Sequence, residues 1–283
     1  MIREIFGRVL TCVLWSMAVV VVQRFIFVPG GWSIAIPETA HALVGVALGL
    51  LLVFRTNASY DRFWEGRKQW GSIVNECRNL GRAASVHLAD APDLVRSILD
   101  WTTVFTFATM HRLRGTPLVV PATLRLHEDE ARNILAAGHV PLAIARRLSE
   151  LIAQGHKRRS ISDMMLVTLD QNVQLLIDYL GACERIHNTP MPFAYMVHLR
   201  RALILYSFTL PLALVDRFGW WTVPAVPLVA YVMYGIEEIG VETEDPFGTD
   251  ENDLPLEEIC QSIAANLCEI LDTLPPTRAS TVN

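Results

Sequence analysis

Charge is what this chain of 283 residues has least of. Asp, Glu, Lys and Arg make up 19% of it, against about 25% in a water-soluble domain. Apolar residues make up 52%, and mean hydropathy is +0.32. The deficit is local: residues 56–190 have an ordinary soluble balance, and the apolar excess lies in four other segments. Catalytic signatures are also missing. There is no GxGxxG, no P-loop, no GxSxG and no HExxH, which removes the common nucleotide, acyl-transfer and zinc-protease chemistries. The eight histidines are scattered without a second ligand at metal spacing. The five cysteines form no CxxC, and their odd number reads as free thiols rather than a disulfide framework. No enzyme, no nucleic-acid partner and no cofactor is expected.

The four apolar segments are each near the roughly 20 residues that cross a bilayer. They run about 9–28, 34–54, 199–215 and 220–239. A signal peptide would need a small-x-small cleavage site after the first, and Gln23–Arg24–Phe25 is wrong for one. Of the 24 Lys and Arg, only Arg24 and Arg217 flank the two short loops between paired segments. The positive-inside rule then places both termini and the long middle region in the cytoplasm. Trp32, Trp220 and Trp221 suit an outer aromatic belt. The expected lipid partner is the bilayer of a cell's inner (plasma) membrane, crossed by a multi-pass chain.

The middle region reads as helix throughout. Tyr60–Leu88 and Pro92–Leu113 carry apolar residues near a helical period. Short amphipathic helices are expected over 128–137 and 141–154, then a long one from Ile161, where Ser160-x-x-Asp163 has the form of a capping box. The pattern predicts an all-α chain: a membrane pair (1–55), a cytoplasmic helical domain (56–190), a second membrane pair (191–241) and an acidic tail (242–283).

Three features carry candidate chemistry. In the second apolar segment Leu43, Ala47 and Leu51 share one helix face spanning about 12 Å, with Thr39 extending it. Such a stripe lines a pore, or packs as core or against lipid. Ile161 follows the basic run His156–Arg159; it is either an apolar collar or a packed helix start. The tract Glu237–Asp253 is dense in acids, with Asp245, Asp250 and Asp253 around Pro246-Phe247-Gly248. It reads as a weak calcium site or as a turn with helix-capping acids, and the capping role is the expected one.

Two of these stretches and the entry to the third apolar segment resemble one family. Phe54–Leu80 (FRTNASYDRFWEGRKQWGSIVNECRNL), Thr189-Pro-Met-Pro-Phe-Ala-Tyr195 and the Asp245–Asp253 loop are similar to segments of the bestrophins, in particular their bacterial members. The resemblance implies a pentameric ion channel: a polytopic, all-α membrane protein with four transmembrane helices and a large cytoplasmic helical domain around a central pore. Counting back from the Arg55–Asn57–Tyr60 junction places the family's hydrophobic neck on Leu43, Ala47 and Leu51, with Val44 and Leu48 as the neighbouring register. The small Ala47 would leave the middle ring wide. By position, Ile161 becomes the cytoplasmic aperture. Asp245, Asp250 and Asp253 correspond to the calcium clasp of animal members, with Thr249 and Asn252 interrupting its acidic run. Chloride and other anions are the family's default ions. A monovalent-cation channel of the same fold stays open, since Glu38 and Thr39 lie at the pore entrance and Glu38 would favour cations. A secondary transporter or a non-conducting scaffold is the more distant alternative.

Overall fold

The computed structural model describes residues 2–121, 124, 126 and 128–273; the end of the acidic tail lies outside the described residues. Among those described there is helix and no strand. The order is α1 (Ile2–Val22), one π-helical turn (Gln23–Phe27), α2 (Glu38–His87), α3 (Pro92–Leu113), α4 (Glu128–Leu135), α5 (Val140–Lys157), α6 (Asp163–Asn188), α7 (Phe193–Phe218), a 3₁₀ turn (Gly219–Trp221), α8 (Thr222–Glu242) and α9 (Leu256–Asp272).

Two compact units emerge: Met1–Phe63 with Pro190–Asp245, and Trp64–Thr189 with Pro246–Asn283. The expected boundary at 55/56 falls inside α2. A fresh helix was predicted near Tyr60, yet the chain stays helical through the junction. No Gly or Pro interrupts Phe54–Tyr60, and the Thr56 hydroxyl is absorbed by the Leu52 carbonyl one turn back (2.9 Å).

In the first unit α1, α7 and α8 pack on one another around Leu203, Val226, Ala230 and the α2 residues Leu48 and Leu52. Among the described residues three stretches are long and apolar enough to cross a membrane, Ile5–Phe27, the start of Glu38–His87, and Phe193–Glu242. The third holds both α7 and α8. It turns at Gly219, whose φ of 51° lies in the left-handed region that glycine adopts without strain. Beyond the turn α8 returns along α7, pairing Glu237 with Arg200 (3.3 Å).

The second unit is built on α3, buried at every position from Ile98 to Met110. Such all-round burial belongs to a core helix. Its hydroxyls are silenced locally: Thr102 donates to the Ile98 carbonyl (2.7 Å) and Thr103 to Leu99 (3.0 Å). Gly81 of α2 admits Leu99 of α3 and Leu267 of α9, whose side chains would lie 3.0 and 2.6 Å from a Cβ there. The long helix α6 starts at Asp163, two residues later than predicted, and Ser162 caps it by accepting from the Met165 amide (3.4 Å). Ser160 belongs instead to the turn that ends α5, its amide donating to the Gly155 carbonyl (3.0 Å) after Arg159 at φ 60°, two residues ahead of the α6 cap.

Candidate functional site

The first half of α2 has two unlike faces. One is turned into its own unit by His41, Gly45, Leu48, Leu52, Arg55 and Ser59, alternating steps of four and three that keep one side of a helix. Gly45 is required there, since a Cβ would sit 2.6 Å from the Tyr206 hydroxyl. The Tyr206 ring stacks on His41 (4.2 Å between centroids), and His41 Nε2 lies 3.2 Å from the Tyr206 carbonyl and 3.1 Å from Thr209 Oγ1.

The opposite face is apolar and uncovered within the protomer. Leu43, Val46, Leu50 and Phe54 are 73%, 65%, 56% and 65% exposed. Val46, Leu50 and Phe54 form an i, i+4, i+8 stripe that stays on this face over its full length. The predicted stripe does not: Leu43 and Ala47 are exposed, while Leu51 is half-buried against the unit's core. The Leu51 carbonyl also accepts the Tyr195 hydroxyl (2.8 Å). The 100° helical step brings each i+4 residue about 40° further round, so a stripe begun at Leu43 reaches the packed flank by Leu51.

At the start of α2, Thr39 is exposed and Glu38 is ion-paired with Arg217 (2.6 Å). Both line a cavity of about 360 Å³. Ile161 is buried, with Leu88 and Gly155 as neighbours. The exposed apolar side chains at the start of α6 are Met164 and Val167 instead.

Sequence reasoning missed a buried charge cluster at the end of the α2 span. Glu237, 1% exposed, accepts Arg8 (3.0 Å), Arg55 (3.1 Å) and Arg200 (3.3 Å). Arg8 also reaches Glu238 (3.6 Å). The available signal was an acid inside the apolar run of α8, facing an arginine at the end of each of three other apolar runs.

A family model described as Bacterial/Fungal Bestrophin protein matches residues 1–269. The chain belongs to the bestrophin family. It is 40% identical over 279 residues to a voltage-dependent anion channel-forming protein of Synechocystis, covering 97% of this chain and 89% of that one. A protein of the same description from Nostoc is 38% identical over 283 residues, with 98% and 90% covered. Among solved structures, a bacterial bestrophin homologue from Klebsiella pneumoniae superposes with a TM-score of 0.88 at 32% identity, covering 96% of this chain and 100% of that one.

Membership raises the question of the calcium clasp that animal bestrophins carry, and the loop after α8 does not fit one. The Phe247 and Gly248 carbonyls, oxygens of the kind calcium takes, accept Arg114 Nε (3.3 and 3.2 Å). The Asp253 carboxylate accepts the Asp250 amide (2.7 Å), and the Asp253 amide donates to the Asp250 carbonyl (3.0 Å). Asp245 and Asp250 are exposed. Among the described residues no three His, Cys, Asp or Glu side chains converge as a metal site. A guanidinium holds the carbonyls, and the Asp253 carboxylate caps its own turn.

Proposed function

We propose that the protein is a passive anion channel of the bestrophin type, formed by five copies around a shared axis in a bacterial inner membrane. Four spans would cross it, namely α1, the first half of α2, α7 and α8, with both termini cytoplasmic. The observation that carries the reading is the uncovered apolar stripe of α2, in a chain whose relatives are named anion channel-forming proteins. Five copies of Val46, Leu50 and Phe54 would stack as three apolar rings about 12 Å from first to last. Leu43 lies outward of them and Ala47 on their flank. A neck of this kind binds no ion tightly and gates by dewetting. The cytoplasmic constriction falls at the turn from Ile161 to Met164, with Met164 the side chain free to face the axis.

The geometry at the mouth removes the argument for the cation alternative. Glu38, the acid that would recruit cations, already faces Arg217, so the pair presents little net field.

Planar-bilayer recording of the purified protein in asymmetric NaCl tests the reading. A reversal potential at the chloride equilibrium value supports it; one at the sodium value, or no current from well-folded oligomers, refutes it. Leu50→Thr is expected to ease wetting and raise the open-channel current, and Leu51→Thr to leave it unchanged. The opposite pair of results returns the neck to Leu43, Ala47 and Leu51.

A further inference from the structure

The first unit has a second, separate recess on its outer surface, between α1 and α7 and away from the exposed stripe of α2. Its volume is about 210 Å³. Thr11, Cys12 and Trp15 of α1 form one wall and Ile204, Ser207 and Phe208 of α7 the other. Tyr234 of α8 is the floor. The Thr11 hydroxyl is spent on the Gly7 carbonyl (2.9 Å), and the lining is mainly apolar. One end is shut: Trp15 stacks on Phe208 (4.3 Å) and donates its indole N–H to the Phe208 carbonyl (2.8 Å). The other end opens beside Arg8, whose guanidinium lies 5.6 Å from the Tyr234 ring centre. From Arg8 to Trp15 the recess runs about 10 Å along α1.

The open end is positive. Arg8, Arg55 and Arg200 gather on Glu237, and Glu238 is the second acid within reach of Arg8. Among the described residues, three guanidiniums face two carboxylates, an excess of one positive charge. Arg200 lies one helical turn from Ile204 on the recess side of α7, and its side chain is 53% exposed. In the proposed orientation this end lies at the cytoplasmic surface of the bilayer.

We infer that this recess is a binding site for an anionic phospholipid of the cytoplasmic leaflet, one acyl chain lying between α1 and α7 and the phosphate set against Arg8 and Arg200. A short apolar slot closed at its far end accepts a chain segment and excludes a headgroup. A basic mouth at headgroup depth then selects the sign of the lipid that enters. The inference rests on the proposed membrane orientation and is independent of whether the pore conducts.

Trp15, at the closed end, is the reporter. The full-length protein in neutral detergent is titrated with brominated phosphatidylglycerol and, separately, brominated phosphatidylcholine. The Trp15 contribution is isolated by difference against Trp15→Phe. The expected result is quenching of Trp15 at a half-saturating concentration roughly fivefold lower for phosphatidylglycerol. Arg200→Gln should abolish that preference, and Thr11→Phe, which fills the slot from its exposed wall, should remove the quenching. Arg200→Gln changes a half-exposed side chain and leaves Arg8 and Arg55 on Glu237, so it keeps the test clear of misfolding. Equal quenching by both lipids overturns the inference, as does a preference that survives Arg200→Gln. Absence of Trp15 quenching overturns it too, and would mean that a second copy of the chain covers the recess. Because the readout is binding, a protein that binds the lipid and carries no current would leave this inference standing and refute only the channel.

Discussion

Replacing Glu237 by glutamine should be among the most damaging conservative changes in the chain. Glutamine keeps the shape but removes the charge. Arg55, 2% exposed, would lose its carboxylate at 3.1 Å, and its Nε already lacks a hydrogen-bond partner. Arg8 and Arg200 would lose theirs at 3.0 and 3.3 Å. Removing one partner of a buried ion pair costs about 3–5 kcal/mol, because the other charge stays buried and uncompensated. Arg8 and Arg200 can turn toward water, so Arg55 accounts for most of that cost. At about 2–4 °C per kcal/mol for a chain approaching this size, the apparent Tm in detergent should fall by the order of 10 °C. Fluorescence-detected size exclusion after heating measures this. Glu258→Gln, on the exposed face of α9, should stay within about 0.5 kcal/mol of wild type. Pairing Glu237→Gln with Arg55→Met removes both charges and should recover part of the loss. A Glu237→Gln variant within about 1 kcal/mol of wild type, or a strictly additive double variant, would refute the reasoning.

Other outcomes follow from particular contacts. Gly45→Ala brings a Cβ to 2.6 Å from the Tyr206 hydroxyl, and stacking on His41 restrains the ring; about 1–3 kcal/mol should be lost, read as a lower Tm. Arg114→Ala should lower Tm by freeing the Phe247 and Gly248 carbonyls, while adding calcium or a chelator to wild type shifts it by nothing measurable; a calcium-induced rise would show a metal site where the structure has a guanidinium. Burial pushes the Cys183 and Cys260 thiols up to about 12, and burial with Cys260 and Glu76 nearby raises Cys77 further. Unfolded thiols lose their protons from about 9 while the folded ones keep theirs. Stability is therefore full below pH 9 and falls as pH rises from 9 toward 12, by up to about 1.4 kcal/mol per thiol per pH unit; a Tm flat from pH 8 to 10.5 would contradict this. Of these thiols and Cys268, only Cys268 is exposed, so a maleimide should label the folded protein there and leave Cys77, Cys183 and Cys260 unmodified until it unfolds.

The parts of the fold that were legible in sequence are those written in local pattern. The four apolar runs appear as α1, the first half of α2, α7 and α8, because a run near 20 residues long has few ways to satisfy its backbone in hydrocarbon other than as helix. Pro92 and Leu113 bound α3 as read. The helix start at Asp163 was missed because two serines compete for the capping role. Only the fold shows that Ser160 belongs to the turn that closes α5 on Gly155.

Sequence alone determined that this is a helical membrane chain with a charged helical middle, and the family resemblance sufficed to name its relatives. Both rest on composition, period and motif order, which are properties of the chain taken segment by segment. Tertiary structure decided which side of α2 is uncovered, because that depends on what Tyr195, Tyr206 and Glu237 from other helices cover, and no count along α2 contains them. It left Val46, Leu50 and Phe54 uncovered and turned Leu51 toward the unit's core. It also turned Glu237 from one acid in a tract into the shared partner of three arginines, and put Arg114 where calcium would have been sought. In each case a residue's role was set by side chains about 40 to 230 positions away.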